Sequence, residues 1–385
     1  MSACIAVLGA TGSVGTQALD VARQRGYRVD LISAHRSADA MERLAREFSP
    51  AVAVMTDEAA AADLRLRLAD TPTRVVGGED GLAEAIAQSR AETVVHSILG
   101  AAGLRPTLAA LDAGKRLALA NKESLVIAGD VVMARAARAG VEILPVDSEH
   151  CAIFQSLKSG KREEVKRLIL TASGGPFFGY SREQLAGVSA ADTLRHPTWR
   201  MGKKITVDSA TLMNKGFEII EAAHLFSVEA DRVEVVVHRE SILHSAVEYI
   251  DNTVIGEFSV PDMRMCVQYA VDYPARRPSA GAALDLISLG RMTFFAPDTE
   301  AFPLLSLARR ASLLGGGMGA VLNAADECAV EAFLRDKLTF LGISDCVEHT
   351  FERCLAYREA TTVEDRLAAD REARNIAAAY IKTQG

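Results

Sequence analysis

The sequence predicts an α/β protein with an N-terminal Rossmann-like parallel sheet, a central α+β domain and a C-terminal helical bundle. Three observations predict it. Over residues 1–147, short β-rich runs alternate with alanine-rich helical stretches, which is typical of a parallel sheet covered on both faces. Over 148–272, strand and helix signals are mixed without that alternation. Over 301–385 the pattern is helical, and the proline-containing stretch 273–300 is typical of a linker.

Length and composition restrict the class of protein. At 385 residues the chain is longer than a typical single core, and 49% hydrophobic residues argue against disorder. The balance of 43 basic against 50 acidic residues argues against a nucleic-acid partner. No apolar run is long enough to span a membrane, and a strand that begins near Cys4 leaves no room for a signal peptide. Six scattered cysteines without metal-type spacing fit reduced thiols, so we expect a cytoplasmic protein.

The N-terminal part carries seven candidate strands. They cover 5–8, 28–33, 51–55, 74–76, 93–98, 116–120 and 141–146. Helical segments such as 14–25, 59–68 and 125–138 separate them. In sheets of this kind, ligands bind outside the carboxyl ends of the strands. We therefore searched those ends for functional residues.

The first strand end carries a glycine pattern. Gly9, Gly12 and Gly15 follow a predicted strand and open a predicted helix, which is the context that a dinucleotide-binding loop requires. Glycines let the backbone approach a pyrophosphate, and the helix start offers free N–H groups. The alternative is an ordinary strand–helix turn. We favour cofactor binding because strand, glycines and helix occur together.

The end of the second strand indicates which dinucleotide binds. NAD enzymes usually place an acidic residue there to bind the ribose 2′-hydroxyl. This chain has Ser33-Ala34-His35-Arg36-Ser37 instead, with no carboxylate. Arg36 and Ser37 offer donors to a 2′-phosphate, so NADPH is favoured. In the alternative interpretation, His35 and Arg36 are solvated loop residues.

Two acidic residues follow the seventh strand. Asp147 ends the strand, and if the chain stays extended, Glu149 points to the same side. Glu218 lies one helical turn beyond Asn214 and shares its face. Three carboxylates about 4 Å apart would repel by roughly 4 kcal/mol per pair at an effective dielectric of about 20, and a divalent cation removes that penalty. Oxygen ligands favour Mg²⁺ or Mn²⁺ over zinc.

The central part carries the signals of a smaller sheet. Strands are expected at 165–170 and 233–238, followed by a hairpin with arms at 244–250 and 254–260. One face of this sheet could pack against a second subunit. Helices are expected near 303–314, 318–336, 344–357 and 364–382.

Hydroxyl, amide and ammonium groups gather near the start of a central helix. Ser209 and Thr211 precede the predicted helix, and Asn214 and Lys215 lie in its first turns. Such groups at a helix start suit a phosphate monoester. A second glycine-rich loop with a hydroxyl, 171–176, supports the same ligand. The alternative for Ser209 is a simple N-cap.

Two further segments are candidates for ligand contact. The only tryptophan, Trp199, lies with His196 in a proline-, glycine- and charge-rich stretch over 196–204, which predicts a lid that excludes water. A tryptophan that anchors a loop to the core is the alternative. Lys122 follows another strand end and could hold substrate or cofactor, with a surface lysine as the alternative.

The motifs resemble, in their order, the 1-deoxy-D-xylulose 5-phosphate reductoisomerases. The similarity covers nearly the whole chain. It runs through Gly-Ala-Thr-Gly-Ser-Val-Gly at 9–15, Ala-Asn-Lys-Glu-Ser at 120–124, Val-Asp-Ser-Glu-His at 146–150, Ser-Gly-Gly-Pro-Phe at 173–177, His-Pro-Thr-Trp at 196–199, Val-Asp-Ser-Ala-Thr-Leu-Met-Asn-Lys-Gly at 207–216, Pro-Asp-Met-Arg at 261–264 and Leu-Asn-Ala-Ala-Asp-Glu at 322–327.

The resemblance implies an activity and an assembly. The activity is the NADPH- and divalent-metal-dependent rearrangement and reduction of 1-deoxy-D-xylulose 5-phosphate to 2-C-methyl-D-erythritol 4-phosphate, in the methylerythritol phosphate route to isoprenoids. The family is homodimeric. It further implies that 1–147 binds NADPH, that 148–272 carries catalysis, dimerisation and a flap near 196–204, and that 301–385 is a helical domain.

The resemblance also implies roles for individual residues. Asp147, Glu149 and Glu218 are expected to bind the metal and, with Lys122 and His196, to form the catalytic group. The substrate is expected to contact Ser148, Glu149, Ser173, His196, Trp199, Ser209, Asn214, Lys215 and Glu218, with Met201 also in the flap. The cofactor is expected to contact Thr11, Gly12, Ser13, Val14, Ala34, His35, Arg36, Asn121, Lys122, Glu123 and Gly202.

The chain departs from the family pattern at three places. Ala34-His35-Arg36 stands where Gly-Lys-Asn is common, which leaves open the side chain that meets the 2′-phosphate. Ala172 replaces a glycine, and His238-Arg239-Glu240-Ser241 replaces His-Pro-Gln-Ser. Two rival functions remain. A phosphorylating semialdehyde dehydrogenase would need Cys151 as its nucleophile, and a redox-sensing protein would bind NADP(H) without turnover.

Overall fold

The structure, a computed structural model, describes residues 3–195, 199, 201–279 and 281–384. The strands in these residues are β1 Cys4–Leu8, β2 Arg28–Ala34, β3 Val52–Met55, β4 Arg74–Gly77, β5 Thr93–His96, β6 Arg116–Leu119, β7 Ile143–Pro145, β8 Val165–Ala172, β9 Val233–Val237, β10 Leu243–Tyr249 and β11 Val254–Phe258. The α-helices are α1 Ser13–Arg25, α2 Ala38–Phe48, α3 Glu58–Arg67, α4 Glu79–Gln88, α5 Leu104–Asp112, α6 Glu123–Ala139, α7 Ser148–Ser156, α8 Arg182–Leu185, α9 Ala190–Thr193, α10 Lys203–Ala210, α11 Met213–Phe226, α12 Met263–Asp272, α13 Leu286–Leu289, α14 Leu304–Leu314, α15 Met318–Leu334, α16 Phe340–Arg353 and α17 Val363–Gln384.

The chain divides into two compact units. The first unit contains the residues up to Ser124, Val132–Cys151 and Asp262–Ala282. The second unit contains Leu125–Val131, Ala152–Pro261 and the residues from Ala283 onward. This division differs from the predicted boundaries, because the C-terminal helices share a unit with the central sheet and because the chain returns to the first unit at Asp262.

The first unit is built on a seven-stranded parallel sheet. Its strand order is β4-β3-β2-β1-β5-β6-β7. The prediction of a parallel sheet with these seven strands is confirmed, with ends that differ by at most two residues. The chain reverses its direction of propagation between β1 and β5, and ligands of open α/β sheets bind at this point. The carboxyl ends of β1 and β5 therefore mark the place to search for a cofactor site.

Helix α12 belongs to the first unit although it follows the central part in sequence. It packs against α1. Arg264, in its first turn, bonds Asp262 at 2.6 Å and reaches Asp20 of α1 at 3.1 Å. Arg264 and its two carboxylate partners therefore fix α12 to the helix that begins at the glycine loop.

The second unit contains a four-stranded sheet and most of the helices. Its strand order is β11-β10-β8-β9. The predicted hairpin is confirmed as the antiparallel pair β10–β11, with Asn252 in the left-handed region at its turn. The C-terminal helices α14–α17 are confirmed at the predicted places, and α15 is the most buried of them. Across the described stretches of chain, no helix combines the length and apolarity needed to cross a membrane.

Candidate active site

The glycine loop of the first unit requires glycine at two positions. Gly9 has a φ of +78°, and a Cβ there would lie 2.8 Å from the carbonyl oxygen of Ser97 at the end of β5. A Cβ on Gly15 would lie 2.1 Å from the oxygen of Gly9. Helix α1 follows with Gly12 as its N-cap residue and without a side-chain capping bond. Its first N–H groups thus point out of the loop at the sheet's switch point, as a pyrophosphate site requires.

The structure places the four predicted loop residues at this helix start. Thr11 and Gly12 belong to the turn before α1, and Ser13 and Val14 are its first two residues. Gly12 and Ser13 are exposed, whereas Thr11 and Val14 are half-buried. The loop is therefore open to a ligand on its outer side.

The end of β2 holds an ion pair that sequence reasoning missed. Arg36 Nε donates to Asp57 Oδ2 at 2.9 Å, and the Arg36 side chain is 73% exposed. Asp57 follows β3, the neighbouring strand, so no pattern along β2 reveals it. The N–H of Ala60 and then Arg36 lower the pKa of Asp57, which keeps the carboxylate ionised. Next to this pair, the last residue of β2, Ala34, is buried, and His35 Nδ1 lies 2.9 Å from Thr56 Oγ1.

Asn121, which follows β6, holds the neighbouring loops in place through side-chain hydrogen bonds. Its side-chain amide donates to the carbonyl oxygens of Ile98 and Gly100 at 2.8 and 3.1 Å, and to Glu123 Oε2 at 2.7 Å. A Cβ on Gly103 would lie 2.5 Å from the Asn121 side chain, which shows how closely the backbone passes. Asn121 and Glu123 are both buried, at 2% and 8% exposure. They fix the shape of the strand ends beside the glycine loop.

Lys122 is not a surface residue. It is 7% exposed, and its Nζ lies 3.4 Å from Asp147 Oδ2. The buried His150 Nδ1 lies 3.0 Å from the same oxygen. The alternative interpretation of Lys122 as a solvated lysine is therefore excluded. The ammonium instead offsets the negative charge of one predicted metal ligand.

The prediction that Asp147 and Glu149 lie on an extended segment is wrong. Strand β7 ends at Pro145, and α7 begins at Ser148, so Glu149 lies in the first turn of a helix. A carboxylate is stabilised there by the helix dipole. Ser148 Oγ donates to Glu149 Oε2 at 2.6 Å. The short motif could not reveal a helix start immediately after a strand, because the period-2 argument assumes that the strand continues.

Cys151 lies inside α7 and is 1% exposed. A nucleophilic cysteine needs an accessible sulfur and an environment that favours the thiolate. The packing interpretation therefore fits this residue, and the semialdehyde dehydrogenase interpretation loses its nucleophile.

Two predicted phosphate-binding elements meet in the second unit. The Ser-Gly-Gly loop, residues 173–175, follows β8, and both of its glycines have positive φ. A Cβ on Gly175 would lie 2.8 Å from the carbonyl oxygen of Ser209 at the end of α10. The N–H of Gly175 donates to Ser173 Oγ at 3.2 Å. Ser173 and Ser209 are both expected at one ligand, and the structure brings the loop that carries Ser173 against the backbone of Ser209 through Gly175.

Arg239 stabilises this loop through hydrogen bonds to its backbone. Its Nη1 donates to the carbonyl oxygens of Ser173 and Gly175, at 2.7 and 2.6 Å. Its guanidinium also stacks over Phe178 at 5.1 Å. In the sequence, Arg239 is distinguished only as a departure from the family pattern. No local signal could have connected it to a loop more than sixty residues earlier.

Ser209 precedes the helix that carries Asn214 and Lys215, as predicted, but it also lies inside a shorter helix that was not predicted. Ser209 lies in the last turn of α10, and a second helix, α11, begins at Met213. Leu212 joins the two with a φ of +61°. The N-cap interpretation of Ser209 is thereby excluded. The junction has neither glycine nor proline, the residues that usually mark such a break, so the sequence did not reveal it.

Asn214 and Glu218 share one face of α11, as predicted, and Lys215 contacts the same carboxylate. Asn214 Nδ2 donates to Glu218 Oε1 at 2.6 Å, and Lys215 Nζ is paired with Glu218 Oε2. Lys215 and Glu218 are 4% and 0% exposed. A buried carboxylate is costly unless it is paired, so these residues must hold Glu218 in one orientation.

The predicted flap is described only in part. His196 lies outside the described residues, as do 197, 198 and 200. Trp199 is half-buried, with its ring centroid 6.1 Å from that of His244. Gly202 is exposed and is the N-cap residue of α10. Met201 between them is half-buried.

The fold and the glycine loop define the class of protein. A parallel sheet with an uncapped helix start at its switch point is the arrangement of NAD(P)-dependent oxidoreductases. Models of three 1-deoxy-D-xylulose 5-phosphate reductoisomerase domains match residues 5–129, 143–226 and 258–376. The chain belongs to the 1-deoxy-D-xylulose 5-phosphate reductoisomerase family.

Individual relatives agree with this membership. The enzyme of that name from Acetivibrio thermocellus is 49% identical over 98% of this chain and 99% of its own length. The one from Xanthomonas campestris is 49% identical over 96% and 94%. The solved structure from Zymomonas mobilis, in complex with NADPH, has a TM-score of 0.92 and 41% identity over 99% of this chain and all of its own. A second reductoisomerase structure, with NADPH, fosmidomycin and magnesium, has a TM-score of 0.93 and 40% identity over 99% and 98%.

Proposed function

We propose that this chain catalyses the NADPH- and divalent-metal-dependent conversion of 1-deoxy-D-xylulose 5-phosphate to 2-C-methyl-D-erythritol 4-phosphate, a step in isoprenoid biosynthesis. The observation that carries the proposal is the contact between the Ser-Gly-Gly loop and Ser209. It brings together two hydroxyl-bearing elements suited to a phosphate monoester. The glycine loop of the first unit supplies the cofactor site that the reduction needs.

Asp147, Glu149 and Glu218 are the proposed metal ligands. Their carboxylate oxygens are the donors that Mg²⁺ and Mn²⁺ prefer. Each is already oriented by a neighbour: Asp147 by Lys122, Glu149 by Ser148, and Glu218 by Asn214 and Lys215. The cation supplies Lewis-acid stabilisation of the oxygen charge that develops during the carbon rearrangement. Lys122, 3.4 Å from Asp147 Oδ2, helps to hold that carboxylate in place.

The second unit binds the substrate in this proposal. Ser173, Ser209, Asn214 and Lys215 hold the phosphate, and His196, with Ser148 of the first unit, holds the rest of the molecule. Trp199 and Met201 belong to the flap that excludes water before hydride transfer. Because the phosphate is remote from the reacting carbons, its binding energy can be used to close that flap.

The first unit binds NADPH. The N–H groups at the start of α1, with Thr11 and Ser13, hold the pyrophosphate. The other proposed contacts in this unit are Gly12, Val14, Ala34, His35, Arg36, Asn121, Lys122 and Glu123, and Gly202 is a proposed contact from the second unit. Arg36 carries the positive charge that the 2′-phosphate needs, and NADPH supplies the hydride.

The proposed assembly is a homodimer in the cytoplasm. Strand β11 is an edge of its sheet, and Val254 and Phe258 on it are 52% and 45% exposed. An apolar edge of this kind is a site for association. All six cysteines are free thiols, which suits a reducing compartment.

The test is the loss of NADPH absorbance with purified protein, Mg²⁺ or Mn²⁺, and 1-deoxy-D-xylulose 5-phosphate. We expect loss that needs both metal and substrate and that a chelator stops. Glu218→Gln should lower kcat by about 100-fold or more and weaken the metal dependence, because one ligand charge is lost. Glu229→Gln, an exposed glutamate of the same unit, is the control. No NADPH loss with intact cofactor binding would contradict the proposal, and normal turnover of Glu218→Gln would contradict the metal assignment.

A further inference from the structure

A cluster of three charged side chains, two buried aspartates and a half-buried lysine, lies next to the phosphate elements and has no role in the function proposed above. Lys204 and Asp208 are one turn apart on α10, and Asp326 is on α15. Lys204 Nζ lies 2.7 Å from Asp208 Oδ2 and 2.6 Å from Asp326 Oδ2. The two aspartates are 3% and 0% exposed, and Lys204 also packs over the ring of Phe217. One ammonium therefore faces two buried carboxyl groups.

The charge balance of this cluster indicates a bound proton. Two carboxylates and one ammonium would leave a net negative charge away from water, which is costly. The Oδ1 atoms of Asp208 and Asp326 have no hydrogen-bond partner among the described residues, so no donor stabilises a negative charge on them. A proton on one carboxyl removes the excess charge and allows it to donate to the other carboxyl.

Asp208 is the group that holds the proton. Burial, followed by the negative charge of Asp326, raises the pKa of Asp208 well above its usual value. Burial also raises the pKa of Asp326, but Lys204 and the hydrogen bond from Asp208 oppose that rise. The arrangement that satisfies all three groups is a neutral Asp208 beside an ion pair of Asp326 with Lys204.

Helix α10 depends on contacts of this kind for its position. It has eight residues, and its N-cap Gly202 makes no side-chain capping bond. An isolated helix of this length is not stable in water. Ser209 directly follows Asp208 in this helix, and its carbonyl oxygen lies against Gly175 of the Ser-Gly-Gly loop. Any shift of α10 on α15 therefore moves Ser209 relative to that loop.

We propose that Lys204, Asp208 and Asp326 form a positioning cluster that holds Ser209 against the Ser-Gly-Gly loop and so preserves the phosphate site. Lys204 acts through Ser209 and touches no substrate. The inference rests on the proposed function, because only that function assigns Ser209 to the phosphate. Beyond that function, the inference states that the charges of this cluster must be retained for the phosphate site to keep its shape.

Single and double asparagine variants of the cluster should differ in effect. Asp208→Asn replaces one neutral donor by another of similar shape, and in Asp326→Asn the remaining Asp208 can ionise and pair with Lys204, so each should leave KM for the sugar phosphate within about twofold. The double variant Asp208→Asn/Asp326→Asn leaves the Lys204 charge without an anion and should raise KM about tenfold, with kcat changed by less than about threefold. Lys204→Met should behave like the double variant, and Lys204→Arg should retain most of the parent affinity. Lys203→Met, at an exposed neighbour on the same helix, is the matched control.

The pH dependence of unfolding gives a readout that is independent of turnover. Between the usual carboxyl pKa and the raised pKa of Asp208, the folded chain binds one more proton than the unfolded chain. The free energy of unfolding therefore falls as pH rises through this range, and Asp208→Asn should abolish that fall. The other titratable groups near the pair are Glu327, held by Arg374 at 2.6 Å, and Cys346, whose pKa is raised by burial to about 12. Neither is altered by the substitution.

The outcomes separate this inference from the proposed function. Equal pH slopes for the parent protein and Asp208→Asn would overturn the neutral Asp208. A tenfold rise of KM in Asp208→Asn alone would do the same, and an unchanged KM in Asp208→Asn/Asp326→Asn would overturn the positioning role. If no variant and no parent protein turned over the sugar phosphate, the proposed function would fail, whereas the unfolding curves would still decide the state of Asp208.

Discussion

Arg36 and Asp57 are two residues on which the choice of cofactor depends. Arg36 follows the end of β2, where the 2′-phosphate is expected, and Asp57 pairs with it at 2.9 Å. We expect Arg36→Gln to weaken NADPH binding about tenfold or more, because a charged hydrogen bond is lost and Asp57 is left facing the phosphate. NADH binding should change little. Fluorescence titration of the free protein with each cofactor measures both affinities.

The double variant Arg36→Gln/Asp57→Asn separates the two causes. If Arg36 contacts the phosphate, removal of Asp57 should restore only part of the NADPH affinity. If Arg36 only neutralises Asp57, it should restore all of it. An unchanged ratio of NADPH to NADH affinity in Arg36→Gln would show that the 2′-phosphate binds elsewhere.

Residue identities were predicted better than residue environments. Asn214 and Glu218 could be placed on one face because helical spacing alone determines it. The burial of Lys122 beside Asp147 could not be predicted, because it depends on two strand ends that are adjacent only in the folded sheet. Asp57 was missed for the same reason. Along the sequence each strand end stands by itself, whereas a bound ligand contacts several strand ends of the folded sheet at once.

Secondary-structure elements were predicted where the hydrophobic period was long and uninterrupted. All seven strands of the parallel sheet and the four C-terminal helices were found in this way. The secondary-structure prediction failed at two junctions. Strand β7 ends only three residues before α7 begins, and α10 is followed by α11 after a turn at Leu212. A change of period over so few residues leaves too little pattern to detect. The functional residues Glu149 and Ser209 lie at these junctions.

The Ser-Gly-Gly loop is an element whose shape depends on a distant side chain. We expect Arg239→Ala to raise KM for the sugar phosphate about tenfold with a smaller effect on kcat, because two charge-assisted bonds to the loop carbonyls are lost. Steady-state kinetics measures the two constants. Turnover of the unphosphorylated sugar, however slow, should be unaffected.

Arg232→Ala is the matched control for this prediction. Arg232 Nε donates to the carbonyl oxygen of Lys166 at 3.0 Å, near the opposite end of β8. Its loss should lower the melting temperature without a change in KM. A KM for Arg239→Ala equal to that of the parent protein, or an equal rise in both variants, would show that the loop does not need Arg239 to bind phosphate.

The division of the whole chain into two units could not be predicted from amino-acid composition. The sequence changes character near residue 148, and the predicted boundary followed that change. The structure instead returns the chain to the first unit at Asp262, where Arg264 bonds to Asp20 more than two hundred residues away. A returning segment has the same helical pattern as any other helix. Its destination is set by tertiary contacts, which a local pattern does not contain.

The proposed dimer is a property of the whole molecule and follows from the edges of the second sheet. One edge strand, β9, is partly covered by an antiparallel bridge between Val237 and Phe295. The other, β11, has no further strand partner among the described residues, and Val254 and Phe258 project from one face of it. We expect Val254→Glu/Phe258→Glu to lower the mass in solution from that of a dimer toward the 41.2 kDa of one chain.

Light scattering coupled to size exclusion measures this mass, and circular dichroism shows whether the variant is folded. Leu66→Glu, at a 79% exposed leucine of α3, is the control for adding charge to an apolar surface position and should leave the mass unchanged. A folded double variant that keeps the mass of a dimer would place the interface away from β11. If the parent protein has the mass of one chain, the proposed dimer does not form. The apolar edge would then be expected to cause aggregation as the protein concentration rises.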